Sequence, residues 1–164
     1  MAAQAKSFSR LGSDLGLTRY VGTESATPLE SADSWGSIDL QVRAGGAGGR
    51  NGDLLDLGAV SARENLGQAL ILRLLTLKGS LEPLGHPDYG SRLVELIGRE
   101  NNATNRNLAR LYTIEALGQE RRVRKLLGLS VDPVPGQPDT LRIGFSVVPV
   151  DDDDPLSLTL EVTL

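Results

Sequence analysis

The stretch Thr140-Leu-Arg-Ile-Gly-Phe-Ser-Val-Val148, then Pro149-Val-Asp-Asp-Asp-Asp-Pro155, then Leu156-Ser-Leu-Thr-Leu-Glu-Val-Thr-Leu164, decides the class of fold. Leu141, Ile143, Phe145 and Val147 fall on one side of the first run. Leu156, Leu158, Leu160, Val162 and Leu164 fall on one side of the second. Two period-two runs joined by a turn predict an antiparallel hairpin with one buried and one polar face. Asp151–Asp154 reads as a solvated turn that discourages edge pairing, since it lacks the glycine and glutamate spacing of a calcium loop. A further strand, Leu126–Val134, is ended by Pro135-Gly-Gln-Pro138. The chain therefore closes on an antiparallel meander.

Upstream, the spacing becomes helical. Ser61 is placed to cap a helix over about 62–77, with Glu64 at the capping-box position. Leu66, Ala69, Leu70, Leu74 and Leu77 form its stripe, and Ile71, Leu72 and Leu75 broaden it, as suits a central helix. After a loop holding Pro83 and Pro87, a second helix is expected over about 91–100, with Leu93, Val94, Leu96 and Ile97 inward. A third is expected from about Thr104 through Leu117, with Lys125 as its outer limit; Leu108, Leu111, Ile114 and Leu117 mark its buried side, with Tyr112 beside them. Helices followed by a meander make an α+β fold, with about three helices packed on a small antiparallel sheet.

Ahead of this domain, taken as residues 61–164, residues 1–60 hold ten of the nineteen glycines. They read as a long Gly-rich N-terminal arm. Gly45–Gly52 is a flexible linker or long loop, and Trp35–Arg43 alternates as one half-buried strand. The first thirty residues show no period, so their order is expected to depend on a partner.

The 164 residues carry a net charge of −4, distributed as −2 over 1–60, +4 over 61–130 and −6 over 131–164. This balance gives no footprint for nucleic acid, and no apolar run reaches the roughly 18 residues needed to span a bilayer. With no cysteine and one histidine, thiolate catalysis is excluded and metal sites of the usual kind are disfavoured. His86-Pro87-Asp88 matches the tripeptide of the J-domain co-chaperones but lacks the basic helix before it, so it reads as a loop. Glu82, Asp88, Glu95, Glu100, Glu115 and Glu120 offer many carboxylate pairs and single out none for glycoside hydrolysis. The basic run Arg121-Arg-Val-Arg-Lys125 has no aromatic interleaving and reads as partner-facing charge. No enzyme and no cofactor are expected.

From about Ala62 to Val148 the chain resembles the small baseplate wedge protein of contractile-tailed phages, the sheath initiator. That family includes the "lysozyme-like" baseplate component of type VI secretion and counterparts in pyocins and extracellular injection systems. Four pieces carry the resemblance in order. Leu74-Leu-Thr-Leu-Lys-Gly-Ser80 is similar to the family's helix end. Pro87-Asp-Tyr-Gly90 with Leu93 is similar to its Pro-x-aromatic-Gly-x-x-Leu loop. Glu120-Arg121-Arg122 falls where the family has Glu-Pro-Arg, and the hairpin 141–148 with 156–164 follows. Arg121 replaces a proline that would have ended the third helix.

The resemblance implies a non-enzymatic baseplate component, assembled in the bacterial cytoplasm in multiple copies with sixfold symmetry. Glu120 and Arg122 would bind the wedge core. Other implied partners are the tail sheath protein and, through the arm, tube or hub proteins. The expected sheath-contacting edge is the last strand, Leu156, Ser157, Leu158, Thr159, Leu160, Glu161, Val162, Thr163 and Leu164, left open for strand addition. A peptidoglycan-hydrolysing enzyme and a regulatory adaptor of the same fold are the alternatives.

Overall fold

The computed structural model describes residues 10–21, 25–28, 31–32, 38–44 and 55–164. In chain order the strands are β1 (Ser13–Leu15), β2 (Leu17–Val21), β3 (Ser25–Pro28), β4 (Ser31–Ala32), β5 (Ile38–Leu40), β6 (Val42–Ala44), β7 (Leu55–Leu57) and β8 (Ala59–Ser61). Helix α1 (Ala62–Leu75) and helix α2 (Ala103–Gly118) follow, then β9 (Val123–Val134), β10 (Gln137–Pro149) and β11 (Leu156–Thr163).

The meander lies in a four-stranded sheet of order β4-β11-β10-β9. Leu141 faces Val162, Ile143 faces Leu160 and Phe145 faces Leu158 across the β10–β11 pair. All six are buried, because the period-two pattern puts them on the face covered by the helices. Leu66, Leu70, Ile71 and Leu74 of α1 are fully buried in the same cluster. Each such side chain contributes about 1.5–3 kcal/mol by leaving water.

Three helices on one sheet do not form. The described residues hold two α-helices and four sheets, of two, four, three and two strands. The expected second helix is a 3₁₀ turn, Leu93–Leu96, flanked by left-handed glycines at Gly90 (φ +106°) and Gly98 (φ +83°). Its apolar spacing of three is met equally well by a 3₁₀ turn, which buries Leu93 and Leu96 on one side and leaves Ile97 exposed. Helix α2 buries Asn105, Ala109, Tyr112, Thr113, Ala116 and Leu117, so Leu111 and Ile114 face outward, contrary to expectation. It stops at Gly118, well before Lys125. At its start the Asn102 side chain accepts a hydrogen bond from the Asn105 N–H, a normal N-cap. The box expected at Ser61 does not form: Ser61 makes no side-chain cap, and Ala62 enters α1 at φ +53° with its N–H on the Gly12 carbonyl.

The arm is also built differently from expectation. Within the first thirty residues, expected to take their order from a partner, β1, β2 and β3 are paired inside the chain; residues 1–9, 22–24 and 29–30 lie outside the described residues. Trp35–Arg43 is not one strand. Its described part splits at Gln41 into β5 and β6, which join different sheets. Three chain passages bend at Gly16, Gln41 and Gly58, and each passes from one antiparallel pair to the next: β1 with β8, β2 with β5, β6 with β7. The three bend residues close a ring of backbone hydrogen bonds, Gly16 N–H to Gly58 O, Gly58 N–H to Gln41 O and Gln41 N–H to Gly16 O, of 2.6–2.7 Å. The Gln41 side chain packs against Gly58, where a Cβ would meet its Oε1 at 2.8 Å and the side chain would have to shift. Gly45–Gly52, read as a linker, lies outside the described residues, between β6 and β7.

Candidate functional site

Three polar side chains of helix α1, Asn65, Gln68 and Arg73, lie among its packed apolar residues and organise the site. The Asn65 amide donates to the Leu11 carbonyl at 2.8 Å. The Gln68 amide donates to the Leu15 carbonyl and accepts from the Leu17 N–H, both at 2.9 Å. These contacts fasten the start of the arm to the helix, and Leu11 itself is 2% exposed. One turn further, Arg73 lies 4.5 Å from the centre of the Tyr89 ring and bonds Glu120 Oε2 at 3.3 Å.

Glu120 follows α2 directly, with its N–H on the Leu117 carbonyl, so the turn after the helix points its carboxylate inward. It is 8% exposed. Arg122 grips it in fork fashion, Nε on Oε1 at 2.8 Å and Nη2 on Oε2 at 3.2 Å, while Arg122 Nη1 donates to the Leu11 carbonyl. Burial pushes the Glu120 carboxyl up, but the hydrogen bonds and charge of Arg122, with Arg73 behind, hold it below the usual carboxylate range. The Glu120–Arg122 pair thus ties together α1, the end of α2 and the arm. Both residues of the expected wedge-core motif are engaged within the chain, and Arg121 between them is exposed, with no ion pair among the described residues.

A group whose carboxyl pKa is depressed on folding adds stability above its unfolded value, about 4.3 for glutamate. That stability disappears as pH falls through the folded value. Thermal melts should therefore show a stability gap between the natural chain and Glu120→Gln that is full at pH 7 and narrows below about pH 4. A gap that is constant down to pH 3 would remove the ion pair from the explanation.

The expected sheath edge needs a correction. β11 is not open along its length, because Ser31 and Ala32 of β4 run parallel beside Thr159 and Leu160. Among the described residues, these two small residues pair with its centre and no strand pairs with its ends on that side. β10, the Thr140–Val148 run, is paired on both sides. The other rim of the sheet is β9, and among the described residues no strand lies beside its outer side. The Asp151–Asp154 turn is not simply solvated: Arg10 pairs with Asp151, Arg63 with Asp152 and Arg124 with Asp153. Arg63 also donates to the Asp154 and Pro155 carbonyls, so α1 holds this turn in shape.

Of the carboxylates weighed for catalysis, Glu95 is paired with Arg92 and Glu115 with Lys78. Asn65, Gln68 and Arg73 were missed in the sequence, and Tyr89 entered only as the aromatic residue of the Pro87–Gly90 resemblance. Polar residues at positions 65, 68 and 73 of an apolar helix were the available signal. No described helix is long and apolar enough to cross a membrane.

The class defined by this geometry is a two-helix domain on an antiparallel meander, with a β-rich N-terminal part fastened to the first helix. No family model and no curated protein matches the chain. Among solved structures its fold is similar to that of a "putative tail lysozyme" from Geobacter sulfurreducens, at 21% identity and a TM-score of 0.50. That likeness covers 59% of this chain and 86% of the other.

Proposed function

We propose that the chain is a structural component of a contractile tail or related injection machine, joining the baseplate wedge and starting the sheath by strand addition. The observation that carries this reading is the four-stranded sheet in which, among the described residues, one rim has no neighbouring strand and the other is covered over two residues. Unpaired N–H and C=O rows on such rims recruit a strand from another chain, at roughly 1 kcal/mol per hydrogen bond. Rigid α1 and α2 behind the sheet would hold that template in fixed orientation, and the first sheath ring would copy it. The fold likeness to a tail protein supports the setting. The ion-paired state of Glu95, Glu115 and Glu120 favours a structural part over a hydrolase.

The test is a proline scan along Leu156–Thr163 and Val123–Val134, read by thermal melts and by electron microscopy of assembled particles. In an antiparallel pair alternate residues point their N–H groups toward the neighbour and away from it. Prolines on the N–H groups aimed at β10 should lower Tm. Those on outward N–H groups of the sheath-contacting rim should leave Tm within a few degrees and give baseplates without sheath. Full-length sheaths on every outward-proline baseplate would overturn strand addition. Turnover of peptidoglycan by the purified chain would overturn the non-enzymatic reading.

A further inference from the structure

We infer that β4 is a removable cover on the β11 rim, and that a strand arriving from another chain takes its place. That the arriving strand belongs to the sheath rests on the proposed function; the cover itself does not.

The two rims of the four-stranded sheet are protected in different ways. On β9 the protection is permanent. Arg124, Lys125, Asp132 and Pro133 are exposed along it, and its register with β10 shifts at three places. Charges, proline and bulges of this kind keep an edge from pairing with another chain. β11 lacks these devices. Its register with β10 runs unbroken from Thr163 opposite Thr140 to Leu156 opposite Val147. It holds no lysine and no proline, and its one charged residue, Glu161, is bonded to Arg142 of β10 at 2.7 Å. A regular strand of this kind, left bare, pairs with whatever strand it meets. What lies beside it is the backbone of β4, with Ser31 next to Thr159 and Ala32 next to Leu160.

That cover is built to come off. Alternate residues of a strand turn their N–H and C=O groups to the same side, so the eight residues of β11 offer about eight groups outward. A two-residue strand engages about two of them, and in the parallel direction, which is the less stable one per residue. Among the described residues β4 pairs with no other strand. Nor does it take part in the contacts that fasten the arm to the domain, which run from Leu11, Leu15 and Leu17 to Asn65, Gln68 and Arg122. β4 therefore detaches without releasing β1 or β2. An arriving strand that follows β11 along its length makes about four times as many hydrogen bonds as β4 and displaces it. The rim is thus closed in the free chain and opens to a strand long enough to replace its cover.

A disulfide tests this, because the chain has no cysteine of its own. Ser31→Cys with Thr159→Cys places one thiol on each strand at register partners, a separation that a disulfide spans. Hydrogen exchange of the isolated chain is the first readout. Residues 159 and 160 are successive, so one aims its N–H at β4 and the other at β10. In the natural chain the β4-facing amide should exchange at least about 100-fold faster than its neighbour, after correction for intrinsic rates, through detachment of β4 alone. Oxidation of the double variant should cut that difference at least about tenfold. Equal rates in the natural chain, or a difference that oxidation leaves unchanged, would overturn the cover. The second readout is electron microscopy of assembled particles. Oxidised double-variant baseplates should lack sheath, reduction of the same sample should restore its growth, and Ser31→Cys alone should build sheath in both states. Full-length sheaths on oxidised baseplates, beside the expected exchange result, would leave the cover standing and refute sheath assembly on β11 instead.

Discussion

Glu120→Ala is expected to lower stability by about 3–5 kcal/mol, the usual cost of removing one partner from a buried, hydrogen-bonded ion pair. At roughly 2–4 °C per kcal/mol for a chain of this length, Tm should fall by on the order of 10 °C. The loss is large because it strands two guanidiniums, not one. Arg122 loses both of its fork contacts, and Arg73 loses its Nη2 acceptor at 12% side-chain exposure. The arm should loosen as well, since Arg122 also donates to the Leu11 carbonyl. Arg122→Ala should cost less, because its side chain is 26% exposed and Glu120 keeps Arg73. The double variant Glu120→Ala/Arg122→Ala should be less destabilised than the sum of the singles, with a coupling of about 1–3 kcal/mol. Chemical denaturation of the four proteins checks this. A Glu120→Ala cost below about 1 kcal/mol would place the pair among solvated surface bridges.

What the sequence disclosed follows from how local each signal is. The β10–β11 hairpin was legible residue by residue, since alternation names the buried face and Pro155 with four aspartates marks the turn. Helix α1 was legible as central, because apolar residues cover so much of its circumference. The failures occurred where spacing was degenerate or where the answer was not local. Leu93 and Leu96 are three apart, which suits an α-helix and a 3₁₀ turn alike, and the choice lay in Gly90 and Gly98. On α2, Leu111 and Ile114 follow Leu108 at i+3, yet the packed side runs through Ala109, Tyr112, Thr113 and Ala116. Small residues there let α2 approach its neighbours, and hydropathy alone favours the leucines. The arm was hardest. Gly16, Gln41 and Gly58 meet across more than forty residues of sequence, and three-residue strands are too short to show a period. In the candidate site the charged pair was found from the sequence, but its inward orientation was not. Whether Arg122 faces a partner or Leu11 depends on where the arm lies.

Gly90→Ala is expected to be the other severe variant, and its cost follows from two separate effects. Gly90 sits at φ +106°, a region that a side chain enters at about 1–3 kcal/mol. A Cβ there would also stand 2.7 Å from the Thr76 carbonyl oxygen and 2.8 Å from that of Leu77. Those oxygens cannot step aside. Thr76 O accepts the Ser91 N–H at 2.8 Å, and the Ser91 carbonyl accepts the Lys78 N–H at 3.0 Å, so the two segments are stitched together at this point. Separating them would pull Tyr89 from under Arg73 and Leu93 out of the core, adding about 1–3 kcal/mol of overpacking strain. The sum is on the order of 2–6 kcal/mol. Gly98→Ala is the control: its φ of +83° is similar, but a Cβ there meets nothing within 4 Å, so only the backbone term of about 1–2 kcal/mol applies. Denaturant midpoints of the two variants should therefore differ clearly. Equal costs would mean that Gly90 is needed for its φ alone. The contact between residues 76–78 and 89–91, where the first two pieces of the baseplate resemblance meet, would then not hold the loop in place.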